Sequence, residues 1–571
     1  SLSVNEARKK LIVNLSPEIF YEFSEIPITC RCGTDCVIKI LKDQWFLKYG
    51  DSKWKSEVHK CIDNMEIIPT ELKQNFRYFV DWLGDWACTR RVGLGTKLPW
   101  DKTWLIEPLS DSTIYMAYYT MANHLRKIDP EKLNDEFFNK IFYGSDESES
   151  DETIKKIRDE FNYWYPGDFR LSAKDLIGNH LCFHIFHHTA LFPEDKWPKG
   201  FAVFGMGLLE GNKMSSSKGN VVLLDDAISE YGSDAVRLFL MSNAEPWQDF
   251  DWQEKLVKNT ARKLKQFYDM TSFIIGLDDK DNDACNERDI DRWLISKLQN
   301  TIKETTNALE NFQTRKALQY SFFETINDLN WYNRRCDANP KILKQFADQW
   351  IRLLAPFTPF TSEELWATLS LATFPPFDSA IRSIPLRSIE GSLCATLHRR
   401  LALCDRMTRK WELEGNEGFI SLAKYPVFDE NKINKKVEVE EDMLKELMEN
   451  LRNILSLTKQ TPEKIYFYLA PEWMRKLYAA IGEGKQMKDV MKDPEMRPHG
   501  AEIGKIMKRT FKSNIPGIVM GLDEEYEYLS SVCEFLEKEF KCKFDVQKVI
   551  SHDPEGKAGY AKPMKPGIFV E

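Results

Sequence analysis

An α/β domain, then an all-α domain, then a small α+β domain is the architecture this sequence predicts, and three observations predict it. First, 571 residues exceed what one hydrophobic core supports, since single cores stop growing at roughly 250–300 residues. Second, between 61 and 252 short apolar strand-like runs alternate with helical stretches, the pattern of a parallel sheet with crossover helices. Third, helical spacing dominates from 253 to 435. At 436 an amphipathic helix, VEVEEDMLKELMENLRNILSLTK, gives way to the strand-like PEKIYFYLA. The divisions read from these shifts are a connector over 1–60, the α/β part over 61–252, a helical domain over 253–435 and a terminal domain over 436–571.

Composition narrows the class. The longest nearly unbroken apolar tract, FAVFGMGLL at 201–209, is far short of the ~20 residues a membrane helix needs. The start, SLSVNEARKKLIVNLSPEIF, carries charges where a signal peptide needs an apolar stretch and begins without Met, so processing or trimming is expected. Twelve scattered cysteines read as reduced thiols of a cytoplasmic protein. A net charge of -9 excludes a uniformly cationic surface and leaves nucleic-acid contacts to local basic patches.

In the connector, CRCGTDC offers Cys30, Cys32 and Cys36 as three ligands of a tetrahedral zinc site, with Gly33 permitting a tight knuckle. The spacing lacks the usual C-x2-C. His59, Cys61 or a residue outside the chain would complete the set; free loop cysteines are the alternative. Farther on, Trp104 to Ile106 read as a buried strand, followed by Ser110, Asp111, Ser112 and Thr113 bunched where a helix begins. Such a cluster is either a helix cap or a set of short hydrogen-bonding groups for a small polar ligand. Tyr115, Tyr118 and Tyr119 follow on the helix. The acidic, Ser-rich GSDESESDE at 144–152 reads as a solvated loop.

Phe169 to Leu171 read as a short strand, with Lys174 and Asp175 in the turn after it. The next helix carries His180, His184, His187 and His188. His180 and His184 are four apart and share a face; hydrogen bonding toward a ligand, or satisfied core positions, suits them better than a metal. After the strand GFAVFGM comes GLLEGNKMSSSKGN at 207–220, a Gly-, Asn- and Ser-rich loop. Its backbone freedom, hydroxyls and two cations, Lys213 and Lys218, suit a polyphosphate; a solvated turn is the alternative. In the helical domain Ile290, Leu294, Leu298 and Ile302 form one apolar stripe. Lys258, Arg262, Lys263 and Lys265 form a basic stretch, and Trp331, Tyr332, Arg334 and Arg335 mix aromatics with cations. Both sets suit RNA or ordinary packed and solvated faces. In the terminal domain Lys505, Lys508, Arg509 and Lys512, then Lys557, Lys562 and Lys565, concentrate positive charge.

Taken in order, WLIEPLSDSTIYMAYYT, SAKDLIGNHLCFHIFHHTALFP, WPKGFAVFGMGLLEGNKMSSSKGN and YGSDAVRLFL resemble the leucyl-tRNA synthetases of the archaeal and eukaryotic cytosolic type, a group of class I aminoacyl-tRNA synthetases. The downstream DRWLISKL, QTRKALQYSFFETINDLNWYNRR and LLAPFTPFTSEELW resemble the anticodon-binding domain of the same group, and the ending DPEGKAGYAKPMKPGIFVE resembles the archaeal terminus. The loop alone is shared with valyl, isoleucyl and methionyl relatives; LSDSTIY and KDLIGNH favour the leucine branch.

The resemblance implies the later half of a Rossmann-like catalytic domain, a helical-bundle anticodon-binding domain and a tRNA-binding C-terminal extension, in a ligase of protein biosynthesis. It implies that a leucine carboxylate attacks the α-phosphate of ATP, with Mg2+, and that the acyl group passes to tRNA(Leu). On the matching positions it implies a leucine pocket from Ser110, Asp111, Ser112, Thr113, Tyr115 and His184. Asp175, Asn179 and His180 would lie near the adenosine, and Lys213, Met214 and Ser215 near the ATP phosphates. RNA contacts fall to Lys258, Arg262, Arg334, Arg335, Lys505, Lys508, Arg509 and Lys512. Two departures stand out. Ser216 occupies the place of the family's second signature lysine, a loss on the order of 2–4 kcal/mol of transition-state stabilisation, with Lys218 two residues on. The His-x-Gly-His motif and the editing domain of the family are not in this sequence. Three readings follow: a subunit of a split ligase with a partner polypeptide carrying the first half, a piece of a longer chain, or a noncatalytic tRNA-binding paralogue.

Overall fold

The computed structural model describes residues 3–15, 28–30, 33–144, 151–214, 219–278, 287–373, 419–459, 461–509 and 518–571. The acidic insert expected over 144–152 lies mostly outside them. The chain divides into two compact units, one of residues 1–227 with 243–254 and the other of 228–242 with 255–571.

The first unit is organised on three parallel strands, β1 (Glu66–Ile68), β2 (Arg170–Ala173) and β3 (Gly200–Phe204), in the order β1-β3-β2. Central β3 reads GFAVF because both of its faces are covered: Phe201, Ala202 and Val203 are all buried. Helices α1 (Ser52–Asn64), α2 (Lys73–Trp82), α3 (Tyr115–Leu125), α4 (Glu152–Trp164) and α5 (Cys182–Leu191) surround it. α1 starts at Asp51, whose carboxylate accepts from the amides of Lys53 and Trp54 at 2.9 and 3.0 Å. Val58, Cys61 and Ile62 of α1 meet Phe76 and Val80 of α2 and Phe183 and Phe186 of α5 in one core. α5 buries Cys182, Phe183, His184, Ile185, Phe186 and His188, so it is covered on nearly all sides, which explains its almost unbroken apolar and histidine composition.

After β3 the chain makes a separate small sheet: β4 (Gly207–Leu209) pairs antiparallel with β5 (Asn212–Lys213) and parallel with β6 (Phe250–Trp252). The β4–β5 turn holds Glu210 and Gly211 at φ 48° and 78°. Two consecutive left-handed residues make the tight hairpin turn whose twist matches its strands, and a glycine second is the residue that tolerates it.

In the second unit the core gathers Trp293, Leu294, Leu298 and Ile302 of α6 (Asp289–Glu310), Leu329 and Tyr332 of α7 (Thr325–Arg335), and Phe346, Trp350 and Leu354 of α8 (Pro340–Leu354). The α6 stripe is the one expected. Beyond it, α9 (Lys435–Thr458) leads to strands β7 (Lys464–Tyr468), β8 (Lys543–Gln547) and β9 (Gly567–Val570), ordered β8-β7-β9 with β7 and β8 parallel. α10 (Leu522–Ser531) lies against the same core.

α9 belongs to both halves of this unit. Its first turn accepts from α6, with Ser296 Oγ and Asn300 Nδ2 donating to Glu438 at 2.5 and 2.6 Å, while Met443, Leu444, Leu447 and Leu451 fill the α+β core. Between them sits Glu441, with its side chain only 4% exposed. It accepts from Trp331 Nε1 at 2.7 Å, from Arg335 Nε and NH2 at 3.0 and 2.9 Å, and from Tyr528 Oη of α10 at 3.2 Å. Removing one partner of a buried pair strands the other's charge. Glu441→Ala is expected to cost about 3–5 kcal/mol, read by denaturant unfolding as a lower midpoint, with Glu441→Gln milder.

Candidate active site

The carboxyl ends of β2 and β3 bear the residues that the sequence singles out. Lys174 and Asp175 follow β2 directly, and the chain then makes a wide π turn over Ile177–Leu181 before entering α5. Asn179 accepts the His180 amide on its own Oδ1 at 2.5 Å, and Asp175 is exposed. From β3 the chain passes through Gly205 and Met206 into the hairpin, which ends on exposed Lys213. A Cβ at Gly205 would stand 2.1 Å from the Gln248 carbonyl oxygen, so only glycine lets the hairpin cross so close to the chain entering β6. Met214 follows; Ser215, Ser216 and Lys218 lie outside the described residues.

The serine cluster does not cap the tyrosine helix. α3 begins after Ile114, and no side chain caps it. Instead the cluster is bonded to the histidines of the π turn and α5. Ser110 donates to buried Glu107 at 3.3 Å, and Glu107 also takes Arg90 at 2.9 Å. Ser112 Oγ lies 3.3 Å from His180 Nδ1. The Thr113 carbonyl lies 2.9 Å from His184 Nδ1, and its hydroxyl 2.5 Å from His187 Nδ1. His187 Nε2 meets Tyr49 Oη at 2.9 Å, and His188 joins the His184 carbonyl at 2.8 Å and Tyr165 Oη at 2.7 Å.

Burial fixes the charge state of this row. Desolvation pushes His180, His187 and His188 down to about 4, and His184 well below the usual imidazole range. A neutral ring has one donor and one acceptor nitrogen. His184 Nδ1 faces a carbonyl and therefore donates. His180 Nε2 takes Arg170 NH2 at 2.6 Å, so its Nδ1 carries the proton and donates to Ser112. Asp111, half-buried, is raised by desolvation. The i,i+4 histidine pair is thus committed to hydrogen bonds rather than to a metal.

Arg170 is the residue that sequence reasoning missed. Besides His180 it donates to Tyr115 Oη at 3.2 Å, and its guanidinium lies 5.4 Å from the Tyr115 ring centre. Its Nε is buried without a hydrogen-bond partner. The available signal was an arginine inside a short strand-like run, DFRLSA. A cavity of about 790 Å3 opens beside it, lined by Tyr115, Tyr119, Trp164, Arg170, His184 and His188. Gly167 and Gly200 also line it, which puts it at the amino ends of β2 and β3. Tyr115 and His184 therefore border the cavity, whereas Asp175, Asn179 and the hairpin sit at the opposite, carboxyl ends.

The cysteine knuckle is partly described. A bridge joins Thr29 to Asp35, and Gly33 sits at φ 83°. Cys30 and Cys36 are exposed and Cys32 lies outside the described residues. The fourth ligands considered are engaged elsewhere: His59 pairs with Asp81 at 2.8 Å, and Cys61 is a core residue whose thiol burial pushes up to about 12. Among the described residues no three His, Cys, Asp or Glu side chains converge as metal ligands, and no helix is long and apolar enough to cross a membrane.

Of the residues expected to meet RNA, Lys258, Arg262, Lys505 and Lys508 are exposed. Arg334 is exposed and paired with Glu539, whereas Arg335 is held in the Glu441 network, where the α7 end is covered by the terminal domain. The Arg509 side chain and Lys512 lie outside the described residues.

Residues 25–267 match the family described as tRNA synthetases class I (M), and residues 291–467 the anticodon-binding domain of tRNA ligase. The leucine–tRNA ligase of Methanothermobacter thermautotrophicus is 41% identical over 100% of this chain and 58% of its own length. That of Pyrococcus abyssi is 42% identical over 97% of this chain and 55% of its own length. The chain belongs to the leucyl-tRNA synthetase family. It spans somewhat more than half the length of the curated relatives it matches. Among solved structures, Mycobacterium tuberculosis methionyl-tRNA synthetase in complex with methionyl-adenylate aligns at TM-score 0.43 and 16% identity, over 57% of this chain and 62% of that one.

The depressed histidines give unit one a pH dependence. Their folded values lie below the unfolded imidazole value near 6.5, so the unfolded chain binds more protons between about 6.5 and 4. The stability they contribute is fully present above 6.5 and is lost as pH falls toward 4. Thermal melts across that window are expected to show this fall, and His187→Gln with His188→Gln is expected to flatten it.

Proposed function

We propose that this chain supplies the later catalytic half and the tRNA-binding domains of a leucine–tRNA ligase. The ligase activates leucine with ATP and Mg2+ and passes it to tRNA(Leu) in the cytoplasm. The observation that carries the reading is identity near 40% over the whole chain to archaeal leucine–tRNA ligases, together with a hairpin that follows the carboxyl end of β3 and ends on Lys213, the first residue of the string KMSSSK, on the edge where ligands bind in open α/β sheets. The reaction also needs the part of the ligase that the relatives have and this match does not span, on the same polypeptide or on a partner.

In this reading negative charge grows on the phosphate oxygens as the leucine carboxylate attacks, and fixed cations lower that barrier. Lys213 serves in this reading as such a cation, with Met214, Ser215 and Lys218 next in the sequence. On the same reading Asp175 and Asn179, which follow β2, serve the adenosine ribose or the tRNA end, and His180 serves the nucleotide through the row it shares with Ser112 and Arg170. Ser110 to Thr113 and Tyr115 shape the amino-acid pocket, with neutral His184. Neutrality matters here: a neutral imidazole adds no charge to a site that must take up a small apolar side chain. Lys258, Arg262, Lys505, Lys508, Arg509 and Lys512 supply phosphate-backbone contacts whose strength falls steeply with salt. Ser216 in place of a lysine favours a second reading, a tRNA-binding paralogue without catalysis.

Leucine-dependent ATP–pyrophosphate exchange separates the two. With a polypeptide carrying the remaining part of the ligase, exchange is expected, and Ser216→Lys is expected to raise its rate about a hundredfold, the effect of one phosphate cation worth ~2–4 kcal/mol. No exchange in either form, beside salt-sensitive binding of tRNA(Leu), would establish the paralogue.

A further inference from the structure

The signature hairpin is not an extension of the substrate sheet. β3 ends at Phe204, the chain turns at Gly205, and β4 pairs with β5 and β6 instead. What fixes the second sheet against the first is therefore a separate question from what folds either of them. Within the second sheet Asp251 holds the turn, accepting the Gly211 amide at 2.9 Å and Gln253 Nε2 at 2.7 Å. Asp249 holds the other end, accepting the Met206 amide at 2.8 Å just before β4 begins. The same Asp249 oxygen receives Lys174 Nζ at 2.5 Å, and Lys174 is the first residue past β2 in the substrate sheet. One carboxylate thus joins the root of the hairpin to the carboxyl end of β2.

We propose that Lys174 is a positioning residue for the reaction: through Asp249 it latches the hairpin root to the end of β2 and so sets where Lys213 stands. This rests on the reading that the hairpin serves ATP. Lys213 pairs with Leu208 in the β4–β5 register, two residues beyond the amide that Asp249 holds, so a shift at the root reaches Lys213 through a short, rigid ladder. The latch also links two motifs that the sequence presents separately, the lysine of KDLIGNH and the lysine of KMSSSK. Lys174 and Asp249 side chains are 45% and 39% exposed. An ion pair so exposed adds little to global stability, which leaves local position as its effect. It also leaves the pair free to open when a nucleotide competes for the lysine. Asp249 is held below the usual carboxylate range by Lys174 first and the Met206 amide second, in keeping with a charged latch.

The test uses the full chain with Lys174→Met, with Asp249→Asn, which keeps an acceptor for the Met206 amide but loses the charge, and with the conservative Lys174→Arg. Amide hydrogen exchange over 206–214 is expected to quicken about fivefold in Lys174→Met and in Asp249→Asn, the factor that ~1 kcal/mol represents for an exposed pair, with the thermal midpoint unmoved. Lys174→Arg is expected to keep the protection. With the remaining part of the ligase added, Lys174→Met and Asp249→Asn are expected to raise KM for ATP about fivefold while KM for leucine holds, and Lys174→Arg to leave it near the wild-type value. Unaltered amide exchange in Lys174→Met, or the same loss of protection in Lys174→Arg, overturns the latch. A wild-type mixture without pyrophosphate exchange overturns the ligase reading instead, and the amide data then decide the latch in the same two ways.

Discussion

Burial of the α5 histidine row is the constraint from which the rest of the first unit follows. Desolvation forbids the imidazolium form at His184, His187 and His188. A neutral ring both donates and accepts, so each histidine can join two neighbours at once. Thr113 is fixed by His184 and His187, Tyr49 by His187, Tyr165 by His188. The loop before α3 is thereby pinned to the helix after β2, and Tyr115 is delivered to Arg170. A protonated ring could still donate to these hydroxyl and carbonyl oxygens, so what opposes it is the cost of burying its charge in the core.

The second unit is joined by a different device. α9 donates its first turn to the helical bundle and its middle to the α+β core, and Glu441 at the junction collects an indole, a guanidinium and a phenol. Trp331 touches both hydrophobic cores. Side chains that look like an RNA-facing mixture in the sequence, WYNRR, are spent largely on holding the two halves together.

The two sheets of the first unit differ in size and burial. The parallel sheet is buried on both faces of β3 and carries the histidine helix. The hairpin sheet is small and mostly half-buried, exposed only on Asn212 and Lys213, and its strand crossing depends on Gly205 and on carboxylates that hold amides.

The sequence by itself determined the class of each domain, the α6 stripe, the strand at 200–204 and the family, because hydrophobic periodicity and signature strings are local properties of the chain. It also placed the hairpin's cations and the 110–113 cluster in order. Only the tertiary structure decided what those groups touch. Ser112 and Thr113 turn to histidines rather than cap α3; Arg170 becomes a hub though one arginine in a strand carries little signal; the cavity opens at the amino ends of β2 and β3; Arg335 is enclosed by a glutamate 106 residues away. Each of these is a pairing between residues far apart in the chain, and burial, which sets both hydrogen-bond partners and charge state, exists only once the chain has packed.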